Sequence, residues 1–219
     1  IVNLLLVADV IKNKEELYNS IYAQYRFLLK HQEKHLLGNH YLENLKAIVI
    51  CSIVFEEERV YKKYIRKLIR ELEEEITDDG LHFELSLMYH KIVLEDLMRV
   101  TVVLEKAKKE EYSAIVGYIG KMITALYSLE FGIGRTPLFN DAGEGVSKTT
   151  EVLLSACKQL FHIVPEQKES ISGYYKLYAG KKALIADSGV LAPKYMAGHA
   201  HCDCLSFELF FDGKPVFVN

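Results

Sequence analysis

Residues 161–187 read FHIVPEQKESISGYYKLYAGKKALIAD, and the spacing of the hydrophobic residues changes within this stretch. Up to about Phe161, hydrophobic residues recur every three or four positions, which indicates amphipathic helices. After Pro165 the spacing shortens towards every second position, and residues 174–178 and 183–186 are typical of β-strands. A helical part is therefore expected to be followed by a β part.

Three runs before this change show the clearest helical pattern, and they lie in residues 61–76, 86–104 and 115–126. Helices that have a broad hydrophobic face and are joined by short turns favour helical hairpins stacked side by side. Residues 131–148 are rich in glycine and predict a long connecting loop. One more helix is expected after this loop, where two consecutive threonines can supply the N-cap.

The β part contains a further strand-like run at residues 205–211, followed by Asp212-Gly213, a two-residue hairpin signal. The expected fold class is therefore α+β with two domains. Residues 1–165 would form part of an array of helical hairpins, and residues 170–219 would begin an antiparallel β-sandwich. Four or so strands are too few to close a sandwich, so we expect the chain to be a piece of a longer protein.

The composition excludes several classes of protein. Half of the 219 residues are hydrophobic, as in a globular protein with a substantial core. The formal net charge of −3 argues against a nucleic-acid-binding protein, which normally carries a basic surface. An anionic partner would therefore have to be recognised locally, by a few cations and neutral donors in a cleft. No hydrophobic run is long enough to predict a membrane span.

Three short segments concentrate the polar residues that could do chemistry. In the first, Asn39 stands at a predicted helix start with His40 and Glu43, so its side chain is either an N-cap or a functional group. In the second, Tyr89 and His90 lie in the first turns of a helix. A tyrosine at such a position either belongs to the core or has a functional role.

In the third segment, His199, His201 and Asp203 alternate with an alanine and two cysteines. On a strand, the three polar side chains would project from one face and the cysteines would be buried on the other. Two imidazoles and a carboxylate on one face predict binding of a metal such as zinc, of a substrate or of each other. The alternative is a polar face directed towards solvent.

These segments and three others occur in an order that resembles the heparinase II/III-like polysaccharide lyases. In chain order the blocks are Gly-Asn-His-x-x-x-Asn at 38–44, His-Phe-Glu-x-Ser-x-x-Tyr-His at 82–90, Leu-Phe-Asn-Asp at 138–141, Ser-Gly-Tyr-Tyr at 172–175, Ala-Asp-Ser-Gly at 186–189 and Gly-His-x-His-x-Asp-x-Leu-Ser-Phe-Glu at 198–208. The resemblance implies an incomplete α/α toroid of helical hairpins followed by stacked antiparallel sheets, with the active site between them. It also implies β-elimination of an acidic, uronate-containing polysaccharide that is heparin-, heparan-, alginate- or capsule-like.

The same resemblance implies roles for individual residues. Asn39 matches the position that neutralises the substrate carboxylate, and Tyr89 and His199 match the catalytic tyrosine and histidine. The residues implied to line or support the cleft are His40, Glu43, His90 and Asn140. His201 matches a zinc ligand of the β domain, and Asn219 stands where a metal-binding aspartate is common, so structural zinc is expected with a poorer ligand in one position. A periplasmic or secreted location is also expected.

β-Elimination at a uronate removes the proton at C5 and expels the sugar that is linked through the oxygen at C4. The Asn39 amide can donate to the carboxylate, as the donors of an oxyanion hole do. Tyr89 can act as the base if a nearby cation or hydrogen-bond donor, supplied by His199 or His90, favours its phenolate. Alternatively, Tyr89 protonates the leaving oxygen and His199 takes the C5 proton.

Two other interpretations stay open at this point. One is a catalytically inactive protein that binds glycans with the same fold, because fold does not guarantee activity. The other is a zinc hydrolase in which His199, His201 and Asp203 hold a metal-bound water. The lyase interpretation predicts that Asn39, Tyr89 and His199 meet in one cleft.

Overall fold

The computed structural model describes residues 1–36, 38–190 and 200–218. Within these residues the chain forms seven α-helices, a 3-10 helix at Ala8–Val10 and five strands. The helices are α1 (Val2–Leu6), α2 (Lys14–Leu28), α3 (Asn39–Val54), α4 (Glu58–Glu75), α5 (Leu87–Lys106), α6 (Tyr112–Glu130) and α7 (Thr150–Phe161). The strands are β1 (Ser170–Ile171), β2 (Tyr174–Ala179), β3 (Lys182–Asp187), β4 (Phe207–Phe211) and β5 (Lys214–Phe217). The predicted order of helices and then strands is confirmed.

The strands of this described part form an antiparallel sheet in the order β1 to β5, so each strand pairs with the next one along the chain. Asp212 and Gly213 join β4 to β5, and their φ angles are 52° and 72°. Two consecutive positive φ angles are the conformation of a type I′ hairpin turn, which explains the Asp-Gly pair. The hairpin predicted here is confirmed.

The chain divides into two compact units, one formed by residues 1–71 and 100–112 and the other by residues 72–99 and 113–219. The boundary between the units therefore crosses α4 and α5 and falls after the first residue of α6. Among the described residues, no helix combines the length and the hydrophobicity that a membrane crossing requires.

The first unit has α3 in its core. Ten of the sixteen residues of α3 are buried, so this helix is enclosed on most sides. On α2, Ile21 and Tyr25 are completely buried. The Tyr25 hydroxyl donates to the Glu57 carboxylate at 3.0 Å, which gives a buried polar group the partner that it needs.

In the second unit, a buried lysine on β2 closes the end of α6. The Lys176 ammonium donates to the carbonyl oxygens of Ser128, Leu129 and Phe131, the last at 2.8 Å. The last carbonyls of a helix lack partners within the helix and carry its partial negative charge, so a cation is favourable there. Burial lowers the pKa of Lys176 to about 8, against the opposing effect of Glu130.

The long loop between α6 and α7 covers residues 131–149 and contains no regular element, as predicted. Thr149 is the N-cap residue of α7. The hydroxyl of Thr150, the first residue of α7, donates to the carboxylate of Glu130 at the end of α6. This hydrogen bond joins the two helices at the ends of the loop. Connecting loops that are held by a rigid scaffold often carry functional residues.

Candidate functional site

Tyr89 lies in the first turn of α5 and is partly buried. Its hydroxyl donates to the carboxylate of Asp141 in the long loop at 3.2 Å. Burial raises the pKa of Tyr89, and the negative charge of Asp141 raises it further. Because an unperturbed tyrosine has a pKa near 10, Tyr89 carries its proton at neutral pH.

Asn140 connects the loop to two other parts of the second unit. This residue is buried, and its φ of 57° is in the left-handed region, which asparagine tolerates better than most residues. Its side-chain amide donates to the carbonyl of Leu85 at 3.3 Å and to the hydroxyl of Tyr174 at 2.9 Å. Tyr174 in turn donates to the Leu85 carbonyl at 2.8 Å. Asn140 therefore connects the loop both to the segment that precedes α5 and to strand β2.

The segment 200–206 is a turn, although the alternation of its residues predicted a strand. Asp203 is buried and accepts a hydrogen bond from the backbone N–H of Asn140, whereas Cys202 and Cys204 are exposed. The predicted burial of the two cysteines is therefore wrong. The reason is that the buried N–H of Asn140 needs an acceptor, and turning the Asp203 carboxylate inwards directs its neighbours outwards.

The imidazole of His201 is exposed, but its backbone N–H donates to the side-chain oxygen of Asn140 at 3.3 Å. Asp203 and His201 thus both form hydrogen bonds with Asn140. The next residue in the chain, Asp141, accepts the hydrogen bond from Tyr89. The blocks at 82–90 and 138–141 and the described part of the last block, residues 200–208, are brought together in this way. His199 and Asn219, predicted as a catalytic residue and a metal ligand, lie outside the described residues.

Replacing Asp203 with alanine is expected to lower the free energy of unfolding by about 1–3 kcal/mol, because the buried Asn140 N–H would lose its acceptor. The matched control is Asp203→Asn, which keeps an acceptor oxygen of the same shape and should recover most of the loss. Urea unfolding of the three proteins measures the difference. Equal stability of Asp203→Ala and the wild type would contradict this role.

His90 is fully buried, and both of its ring nitrogens contact the backbone. Nδ1 lies 3.1 Å from the His82 amide nitrogen, which donates to it, and Nε2 lies 3.0 Å from the carbonyl oxygen of Met122. This pattern requires a neutral ring with its proton on Nε2. Burial, with a smaller contribution from His82, lowers the pKa of His90 to about 3. The prediction that His90 supplies a cation to Tyr89 is therefore wrong, and the ring positions α5 instead.

A cluster of buried ionisable groups that the sequence did not predict lies beside His90. The His82 ring nitrogen Nε2 is 3.0 Å from a carboxylate oxygen of Glu75, and Nδ1 is 3.8 Å from an oxygen of Glu84. Burial, with a smaller contribution from Glu74, raises the pKa of Glu75 to about 8. The cluster supports the turn that leads into α5.

Glu75 gives the protein a predictable pH dependence. Its folded pKa of about 8 lies above the unfolded value of 4.5, so the stability that it contributes is lost as the pH rises towards 8. His90 makes the stability depend on pH only below about 6.5, its unfolded pKa, because its folded pKa is lower still. Between pH 6.5 and 8 the free energy of unfolding should therefore fall by up to about 1.4 kcal/mol per pH unit.

Glu75→Gln removes the titrating group and keeps the hydrogen bond to His82, so it should flatten this slope. Glu73→Gln is the control, because Glu73 is an exposed carboxylate on the same helix. Urea unfolding at pH 6.5, 7.25 and 8 gives the three slopes. A Glu75→Gln slope equal to that of the wild type would show that another group titrates.

Asn39, His40 and Glu43 belong to the first compact unit, on the first turns of α3. The N-cap of α3 is Gly38, with φ of 59°, so Asn39 is the first helical residue and its side chain is not the cap. His40 Nδ1 lies 3.8 Å from the Glu33 carboxylate, and Glu43 accepts a hydrogen bond from Lys46 at 2.6 Å. Asn39 is partly exposed.

The second asparagine of the first block has a structural role. Asn44 is buried, and its side-chain oxygen accepts a hydrogen bond from the Glu33 amide at 2.9 Å. Its side-chain nitrogen donates to the His40 carbonyl at 2.8 Å and to the Glu33 carboxylate at 3.2 Å. Asn44 therefore fixes the segment before α3. Of the two asparagines in this block, Asn39 is the one that solvent can reach.

Two family models match the chain, the heparinase II/III N-terminus over residues 12–171 and the heparinase II/III-like C-terminal region over residues 170–219. The chain belongs to the heparinase II/III family. The heparin-sulfate lyase of Pedobacter heparinus is 28% identical over 136 residues, which are 58% of this chain and 20% of that protein.

Solved structures of heparinases share the fold of this heparinase II/III chain. A mutant heparan sulfate lyase from Pedobacter heparinus has a TM-score of 0.70 at 20% identity, covering 91% of this chain and 35% of that one. A heparinase III gene product has a TM-score of 0.71 at 21% identity, covering 94% of this chain and 35% of that one. The chain thus spans about a third of the length of these solved relatives.

Zinc was expected in the β part of this heparinase II/III chain. In residues 1–36, 38–190 and 200–218, no three His, Cys, Asp or Glu side chains are arranged to hold a metal ion. The Asp203 carboxylate is already bound to the Asn140 amide, which also argues against its predicted role in a zinc hydrolase. Of the two expected ligands, His201 lies within the described residues and Asn219 outside them, so zinc binding by the β part stays a prediction.

Proposed function

We propose that the full-length protein is a polysaccharide lyase that cleaves acidic, uronate-containing glycans of the heparin or heparan type by β-elimination. The observation that carries this proposal is a pair of hydrogen bonds on consecutive loop residues, from Tyr89 to Asp141 and from Asn140 to Asp203. It unites, in one compact unit, sequence blocks that are more than a hundred residues apart. The name of the heparin-sulfate lyase relative supports the substrate class.

The protonated state of Tyr89 supports the role of acid in this proposal. In the elimination, the C5–H bond breaks, its electron pair forms the C4–C5 double bond, and the C4–O bond breaks. Tyr89 would give its proton to the leaving oxygen, because burial and Asp141 both favour the neutral hydroxyl. His199 would take the proton from C5. The Asn39 amide would donate to the substrate carboxylate and stabilise the charge that develops there.

Further expectations remain proposals beside this one. Cleft-lining roles for His40 and Glu43 are consistent with their position beside Asn39 on α3, and zinc in the β part of the full-length protein would be detected by elemental analysis. A periplasmic or secreted location follows from the substrate, since a large charged polymer does not cross a membrane unaided. No step of the proposed reaction passes through a metal.

The proposal is tested by incubating the full-length protein with heparin, heparan sulfate, alginate and a capsular polysaccharide. Absorbance from the new C4–C5 double bond with heparin or heparan sulfate is the expected result. Such absorbance with alginate or the capsular polymer alone would correct the substrate class. New reducing ends without absorbance would indicate a hydrolase, and binding without cleavage would indicate an inactive glycan-binding protein.

A further inference from the structure

The exposed side of α4 carries six cations in a stripe that we call the basic stripe. They recur every three or four positions and so lie on one side of the helix, and they are Arg59, Lys62, Lys63, Arg66, Lys67 and Arg70. Five of the side chains are exposed and Lys67 is partly buried. Together the six line a shallow depression in the surface. The stripe spans about 16 Å at 1.5 Å per residue.

Most cations of the basic stripe have no carboxylate at ion-pair distance in the part of the chain that the structure describes. Within the described residues, Lys62 is the member with a carboxylate in ion-pair distance, that of Glu58 at 3.7 Å. The other acids of α4 are gathered at its C-terminal end, where negative charge opposes the helix dipole. Like charges three or four residues apart destabilise a helix. This distribution of charge therefore does not serve the stability of α4.

Further contacts hold part of the basic stripe in place. Lys63 and Lys67 lie 5.5 and 5.1 Å from the centre of the Tyr64 ring, a distance at which a cation and a ring attract each other. The Tyr64 hydroxyl accepts a hydrogen bond from Gln32 at 2.9 Å. Burial lowers the pKa of Lys67, and the positive charges of Lys34 and Lys63 lower it further, against the opposing effect of Glu71. Positive charge is thus concentrated on a prearranged surface.

We propose that the basic stripe is a second binding surface for the polyanionic glycan chain, formed by residues other than those assigned to catalysis. This inference rests on the proposed function for the identity of the glycan. An extended polyanion can contact several cations of the stripe at once, and release of its counterions contributes to the free energy of binding. Binding would also relieve the repulsion among the cations.

The surroundings of the stripe disfavour two other anionic partners, a single-stranded nucleic acid and an anionic membrane. Tyr64 is buried, so the stripe offers no aromatic platform on which the bases of a single-stranded nucleic acid could stack. The apolar residues Tyr61, Ile65, Leu68 and Leu72 of α4 are buried within the protein, so the helix has no free apolar face to insert into a membrane. A glycan bearing carboxylates and sulfates needs neither feature.

The test compares the wild-type full-length protein with the triple variant Lys63→Gln/Arg66→Gln/Arg70→Gln. The matched control is Lys12→Gln/Lys106→Gln/Lys158→Gln, which removes the same charge from exposed positions elsewhere. Affinity for fluorescent long-chain heparin is measured at 50–300 mM salt. For the stripe variant we expect at least a tenfold weaker affinity and a smaller dependence on salt, since fewer counterions are released. The control should stay within about twofold of the wild type.

A heparin tetrasaccharide, a single-stranded oligonucleotide and anionic vesicles complete the experiment. Unchanged affinity of the stripe variant for long heparin would overturn the inference, as would a larger loss with the oligonucleotide or the vesicles. Cleavage of the tetrasaccharide, followed by absorbance, should be the same in all three proteins. Absence of cleavage in the wild type would contradict the proposed function, whereas the heparin affinities would still test the stripe.

Discussion

Replacing Tyr89 with phenylalanine is expected to lower the turnover number of the full-length protein by roughly 10²–10⁴-fold, the usual effect of losing a general acid or base. The substitution removes one oxygen, which donates to Asp141 at the surface of the second unit. Loss of that hydrogen bond should lower the free energy of unfolding by only about 1 kcal/mol. The initial rate of the absorbance increase and the melting temperature are measured together.

Tyr25→Phe is the control for this substitution. Tyr25 also donates to a carboxylate, that of Glu57, but it is fully buried and lies in the other compact unit. We expect Tyr25→Phe to lower the melting temperature and to leave the turnover number within a few-fold of the wild type. If Tyr89→Phe behaved in the same way, Tyr89 would be a structural residue and its assignment would be wrong.

Asn39→Ala is expected to lower the turnover number by roughly 10²–10³-fold, as loss of a donor to a developing negative charge does. The loss of stability should be smaller than for a buried asparagine, because Asn39 is partly exposed and the N-cap of α3 is Gly38. Saturating rates on heparan sulfate measure the turnover number, and thermal unfolding measures the stability.

Asn44→Ala gives the opposite combination of effects. Its side chain is buried and makes three hydrogen bonds to Glu33 and His40, so its loss should destabilise the protein by about 2–3 kcal/mol. The folded fraction should keep a turnover number within a few-fold of the wild type. An Asn39→Ala protein with normal turnover would remove Asn39 from the proposed mechanism.

The fold could be predicted from the sequence because its signals are local. The change of hydrophobic spacing after Phe161 and the Asp212-Gly213 turn depend on neighbouring residues, and both predictions are confirmed. The strand predicted around His201 and Asp203 did not form. Polar and less polar residues do alternate in this segment. However, the buried N–H of Asn140, which lies 63 positions from Asp203 in the sequence, needs an acceptor, and this determines that the Asp203 side chain is the buried one.

The cluster around Glu75 shows the same limit. In the sequence, Glu75 ends a run of acids on α4 and is typical of a solvated helix end, whereas in the structure it is buried against His82. Only the chain reversal after α4 brings the two side chains together. His90 lies in a block that the resemblance placed at the site, yet burial keeps its ring neutral, and the Met122 carbonyl on another helix places the proton on Nε2. Protonation states of this kind follow from tertiary contacts.

The ammonium of Lys176 has a consequence for the register of the sheet. The carbonyls of Ser128, Leu129 and Phe131 meet at this one cation, so the end of α6 and β2 are matched to each other. A slip of β2 by one residue would direct Lys176 to the opposite face of the sheet and leave a tyrosine or a leucine to face these carbonyls. The end of the helix thus distinguishes the native register of β2 from its nearest alternatives.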